Sequence, residues 1–219
     1  MKRWVIEHGL LLVNAAIFLI FLVGTALTGW QVANNELTEH GDAPETLAAY
    51  LSSGQFAEAV FENWESEFLQ MGAYIVLTVF LFQKGSSETK RIGTAAPEDE
   101  DPRQHRDDPR APGPVHRGGL ALKLYENSLL ILFAALFVAS VVAHAIGGAT
   151  AYSEDQALHG QPGVDAIQYL GTSQFWYESF QNWQSEFLAV AVLVGSAVYL
   201  RQRGSLESKR VAAPHDEPG

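Results

Sequence analysis

Apolar residues in this chain gather in four blocks, and charged residues collect between them. Leu10–Trp30 (LLLVNAAIFLIFLVGTALTGW) runs 21 residues without a charge. Ser128–Gly147 (SLLILFAALFVASVVAHAIG) runs 20 residues with one titratable side chain, His144. Each block predicts a helix able to cross a hydrocarbon core of ~30 Å at ~1.5 Å per residue. Two shorter blocks, Phe68–Phe82 and Phe187–Leu200, follow the long ones. Upstream of each, apolar residues recur in steps of four and three: Ala57, Phe61, Trp64, Phe68, Met71, Ile75, and Trp176, Phe180, Trp183, Phe187, Val190, Val194. That spacing predicts one continuous amphipathic helix running into each short block. The fold class expected is all-α, a polytopic membrane protein with four transmembrane helices.

The four blocks are two pairs. FENWESEFLQ begins at Phe61 and FQNWQSEFLA at Phe180, which sets an offset of 119 residues that holds without a gap. Glu7 falls on Glu126, His40–Gly41 on His159–Gly160, Tyr50 on Tyr169 and Gln55 on Gln174. Between Phe61–Arg91 and Phe180–Arg210, 15 of 31 positions are identical. We read a tandem duplication. Residues 1–91 form the first two-helix unit and 119–210 the second. The Pro- and charge-rich linker 92–118 and the tail 211–219 have a composition that predicts no fixed structure.

Charge orients the pairs. All 14 Lys and Arg lie at Lys2–Arg3, between Lys84 and Lys123, or between Arg201 and Arg210. The stretches 31–67 and 150–186 hold none, and carry eight and five acidic residues. Basic residues stay on the cytoplasmic side during insertion. The expected topology places both termini and the linker inside and the two acidic elbows outside, with the repeats parallel. A first block preceded by Lys2 and Arg3 resembles a signal peptide, but it exceeds an h-region of ~7–15 residues and returns in mid-chain. The expected location is the bacterial cytoplasmic membrane.

Composition narrows the chemistry. With no cysteine, disulfides and thiolate metal sites are excluded. A net charge of −11 argues against nucleic acid as a partner. No Gly-rich phosphate loop and no HxxxH or HExxH spacing occurs, so no catalytic, cofactor-binding or metal-ligating residue is predicted. His144 is expected to make a structural hydrogen bond, since its equivalent is Thr25. The His–Gly pairs read as turns, and Ala135, Ala139, Ala143 and Gly147 as a small-residue packing stripe. The candidate functional residues are those of the duplicated signature: Asn63, Trp64, Ser66, Glu67, Asn182, Trp183, Ser185 and Glu186. In this reading Glu67 and Glu186 approach across the pseudo-symmetry axis, each hydrogen-bonded by an Asn or Ser of the signature, against a plainer role of solvating one helix end.

ENSL with EHGL at the entries, the HG turn, NWESEFLQMG with NWQSEFL, and QKGSSE with QRGSLE at the exits resemble an uncharacterised bacterial family of integral membrane proteins, a domain of unknown function. The resemblance implies a membrane location and no activity. The expected function is a non-enzymatic membrane scaffold or partner-binding component, with the bilayer and a second copy or another membrane protein as partners. The first alternative is a small cation or proton channel or transporter using Glu67 and Glu186. A membrane enzyme ranks last.

Overall fold

The computed structural model describes residues 2–217, and among them every regular element is helical. In chain order these are α1 (Lys2–Glu7), α2 (Gly9–Glu39), α3 (Leu47–Leu51), α4 (Gly54–Phe80), α5 (Gly113–Arg117), α6 (Gly119–Glu126), α7 (Ser128–Leu158), α8 (Ala166–Tyr169) and α9 (Ser173–Ser196), with 3-10 turns at Pro97–Asp99 and Pro102–His105. The predicted continuity of the ten-mer with its apolar block holds for most of each block: α4 and α9 run through the ten-mer and end at Phe80 and Ser196, short of Phe82 and Leu200. The bounds themselves keep the sequence offset. Gly9 and Ser128, Glu39 and Leu158, Leu47 and Ala166, and Gly54 and Ser173 are each 119 apart.

Two helices, α2 and α7, combine the length and apolar composition needed to cross a membrane, each with a mean hydropathy of 2.6 over its most apolar window. Leu10, Leu11, Ile20 and Phe21 of α2 are 82%, 69%, 67% and 69% exposed. The rise of α4 is sufficient, about 40 Å over 27 residues. Its sequence includes Glu58, Glu62, Glu65 and Glu67, however, and neither α4 nor α9 meets the compositional requirement.

By its contacts the chain divides into two compact units, one formed by residues up to Phe61 with Ala143–Phe175, the other by Glu62–Val142 with the residues from Trp176 onward. The first unit holds both elbows. In each, the helix ends on a glycine in the left-handed region, Gly41 (φ 83°) or Gly160 (φ 67°). The preceding histidine hydrogen-bonds through Nδ1 to a carbonyl of its own helix, His40 to Glu36 and His159 to Asp155, both at 2.9 Å. The His–Gly pairs are therefore helix C-caps. Asn34 then clamps Glu45, accepting from its N–H (2.7 Å) and donating to its carbonyl (3.2 Å). Ser153, 119 residues later, accepts from Val164 N at 2.9 Å, and its single hydroxyl proton is shared between the carbonyls of Ala149 (2.6 Å) and Val164 (3.1 Å). Thr46 and Asp165 cap α3 and α8, and Ser53 and Thr172 accept from the N–H groups of Phe56 and Phe175.

The second unit holds the helix exits. Thr89 Oγ1 accepts from Gln83 N and Ser208 Oγ from Gln202 N, while Ser86 and Ser205 accept from Glu88 N and Glu207 N. Each exit glycine, Gly85 and Gly204, has positive φ. The tail then closes around Lys209, whose ammonium donates to the carbonyls of Pro214, His215 and Glu217 at 3.0, 3.1 and 2.8 Å. Three donors on a buried cation need three acceptors, which gives this segment an order its composition does not announce. Burial, followed by the neighbouring Arg201 charge, lowers the Lys209 pKa.

Candidate functional site

The signature residues sit on α4 and α9 of the second unit, and their environments are unequal. Ser66 is buried while its equivalent Ser185 is exposed. Both hydroxyls donate to a carbonyl three residues back in their own helix, Ser66 to Asn63 at 2.7 Å and Ser185 to Asn182 at 2.8 Å. The serines thus serve the helix backbone, and the expectation that they would mask Glu67 and Glu186 is corrected: short hydroxyls in mid-helix bond most readily to the turn behind them. Asn182 likewise donates to Glu178 O at 3.2 Å, and Asn63 to the Glu62 carboxylate at 3.4 Å. Glu67 is exposed and Glu186 half-buried. Their charges interact, since Glu67 contributes to the field at Glu186.

The buried carboxylate of this region is another one. Glu65 is fully buried, and its Oε1 accepts from Ser179 Oγ at 2.7 Å and from Trp183 Nε1 at 3.3 Å. Trp183 is set for this by aromatic neighbours, with ring centroids 6.4 Å from Phe137, 6.4 Å from Trp176 and 5.7 Å from Phe180. Its equivalent Trp64 meets Phe68 edge-on at 6.4 Å. Trp183 is thus a donor to a buried acid. Glu65 aligns with Gln184, which is exposed.

A second polar cluster lies in the first unit. Gly54 of α4 and Gly147 of α7 let the two backbones approach closely. A β-carbon on Gly54 would stand 2.7 Å from Gly147 O and 2.9 Å from Ala151 N. One turn from this contact in each helix are Glu58 and His144. A Glu58 carboxylate oxygen and a His144 ring nitrogen lie within 4.8 Å of each other. Glu58 Oε1 accepts the Tyr169 hydroxyl at 2.9 Å. The Tyr169 ring lies over Gly148, where any β-carbon would collide with it. His144 and Tyr169 are both fully buried. The imidazole stacks on Phe175, with centroids 4.8 Å apart and planes at 30°, and meets Tyr169 edge-on at 6.2 Å.

The profile of a family described as domain of unknown function (DUF6766) matches residues 1–219, the whole chain. The chain belongs to this family. No curated protein matches it, and no solved structure matches it. The family supplies no activity, so the chemistry rests on the two clusters.

The matched positions include the signature and Tyr169 but not Glu58 or Glu65, and the unmatched His144 was expected to have only a structural part. A signal was available in the mismatches: Glu65 opposite Gln184, Glu58 opposite Tyr177, and His144 opposite Thr25. Where two segments share a pattern of caps and clamps, the side chains that differ are where their chemistry can differ.

Proposed function

We propose that this protein is an integral component of the bacterial cytoplasmic membrane that crosses the bilayer four times as two parallel two-helix repeats. Both termini lie inside, and it acts without catalysis as a scaffold or partner-binding subunit. The observation that carries the reading is the apolar surface of α2, where Leu10, Leu11, Ile20 and Phe21 are more than 65% exposed, a surface suited to lipid. The absence of Lys and Arg from 31–67 and 150–186 supports the orientation. Helices α4 and α9 complete the four crossings as the polar pair, with Trp64 and Trp183 as interfacial side chains. Acidic elbows held by matching side-chain clamps offer a partner two similar, preformed surfaces.

The test is extraction and topology. The full chain should stay in the membrane fraction after alkaline carbonate and dissolve only with detergent. Reporter fusions near residues 45, 105, 165 and 215 should read out, in, out, in. Recovery in the soluble fraction, or an inward reading at 45 or 165, overturns the proposal.

A second reading, a small cation or proton path, gains from one observation. Glu65 is a fully buried acid in a helix entering an apolar block, and ionisable groups within membrane helices commonly serve transport. That shifts the burden of such a path from Glu67, which is exposed, toward Glu65. In liposomes this reading expects ion-driven flux from the purified chain and its loss in Glu65→Gln. Silent liposomes reject it.

A further inference from the structure

We infer that Glu58 and His144 form a binding site for one divalent transition-metal ion, with Tyr169 as its positioning residue. The argument begins with the backbone. Gly54 and Gly147 are the residues that let α4 and α7 touch, and side chains there would meet main-chain atoms that cannot yield. Glu58 follows Gly54 by four residues and His144 precedes Gly147 by three, so each lies one turn from the contact. The close approach therefore sets a carboxylate opposite an imidazole within 4.8 Å. An ion held at about 2.1 Å by each in tetrahedral geometry spans a gap of roughly 3.4 Å, so a rotamer adjustment of about an ångström closes the pair onto it.

The surroundings have the features of an oriented ligand pair. Tyr169 donates to one oxygen of Glu58 at 2.9 Å, which fixes the carboxylate plane as partners behind metal ligands do. The His144 ring is held by its stack on Phe175 and by the edge of Tyr169. Tyr169 is in turn placed by Gly148 beneath its ring and by the Asp165 cap at the start of α8. The mixed N/O set selects ions such as Zn2+, Mn2+ or Fe2+ over Ca2+, which favours oxygen alone. Water and other oxygen donors complete the coordination.

The other elbow supplies an internal control. Tyr50 lies over Gly29 as Tyr169 lies over Gly148, and Phe56 pairs with Tyr50 as Phe175 does with Tyr169, at 5.5 and 5.8 Å. At the ligand positions, however, the offset gives Thr25 for His144 and Tyr177 for Glu58. The clamps and caps, which serve the main chain, recur in both elbows. The ligand pair occurs in one.

The experiment uses the full chain, purified in detergent through a tag without histidine, stripped with chelator, and titrated with Zn2+ and with Co2+ as the spectroscopic probe. The expected result is one equivalent bound per chain, a Co2+ absorption of mixed N/O character, and a raised unfolding midpoint with metal. Glu58→Gln and His144→Ala should each weaken binding at least tenfold and remove the absorption. Tyr169→Phe should weaken it roughly 10–100-fold while keeping the stoichiometry, and Tyr50→Phe should change nothing. Failure of the unmutated protein to bind either ion overturns the inference, whatever the folding of the variants. So does unchanged Co2+ absorption in Glu58→Gln or in His144→Gln, the variant to use if alanine costs helix content by circular dichroism.

Discussion

The elbows around Tyr50 and Tyr169 are built by the same instructions and end with different interiors. Each has a left-handed glycine after an exposed histidine, a side-chain clamp on the returning strand of chain, a capped short helix, and a buried tyrosine seated over a glycine. At the first elbow Trp30 adds a bond to the Glu45 carbonyl at 2.8 Å, and the tyrosine hydroxyl lies over Gly29 near the charges of Glu45 and Glu36. At the second elbow the tyrosine is a donor to Glu58 and walls in His144. Two elbows of similar backbone can thus hold different interiors, because clamps and caps act on the main chain and leave neighbouring side chains free to differ.

The largest expected break comes from the close approach of α4 to α7 at Gly54 and Gly147. Gly54→Ala drives a β-carbon against Gly147 O and Ala151 N, and overpacking against main chain should destabilise by about 3 kcal/mol. Ser173→Ala, at the matching position, should be nearly silent. Thermal unfolding followed by circular dichroism in detergent separates the two, and equal effects would show that the contact is not special.

Next comes the tyrosine pair. Tyr169→Phe removes the hydroxyl that donates to Glu58 and should cost about 2 kcal/mol, whereas Tyr50→Phe should cost well under half of that at neutral pH. The clamps sharpen the likeness instead. Asn34→Ala and Ser153→Ala each remove the side chain that accepts from the returning main chain and should each lose about 1 kcal/mol. A large inequality between them would show that one elbow relies on its clamp and the other does not.

The smallest effect is on pH. Burial first, then Glu45 and Glu36, raises the Tyr50 pKa above its ordinary value of 10.0. Folding therefore favours the neutral phenol, and its contribution is complete below pH 10. Above that, the unfolded chain releases the proton more readily, and stability falls as pH rises toward the folded-state value. Tyr50→Phe should flatten the alkaline side of the stability profile. An unchanged slope would remove Tyr50 as its source.

Much of this architecture was legible in the residues. The long apolar blocks gave α2 and α7, and the 4-3-4 spacing gave α4 and α9 as continuous helices. The offset of 119 anticipated element bounds that the fold keeps. The family resemblance held, since the chain belongs to a domain of unknown function. The site was less legible because it was sought among matched residues. Glu67 and Glu186 repeat, yet Glu67 faces outward, while the unmatched Glu65 is the acid that Ser179 and Trp183 enclose.

Local periodicity, capping residues and left-handed glycines act over a few positions, so the chain alone determined where helices begin, end and turn, and that it does so twice. Burial of a polar side chain depends on what a distant segment lays over it. Only the tertiary structure could decide that Gly54 meets Gly147, that Tyr169 reaches Glu58, and that His144 is closed in beside them. The first two contacts join residues more than ninety apart, and the rings that close in His144 come from 25 and 31 residues along the chain; their approach is set by packing and has no signature in the sequence near either partner.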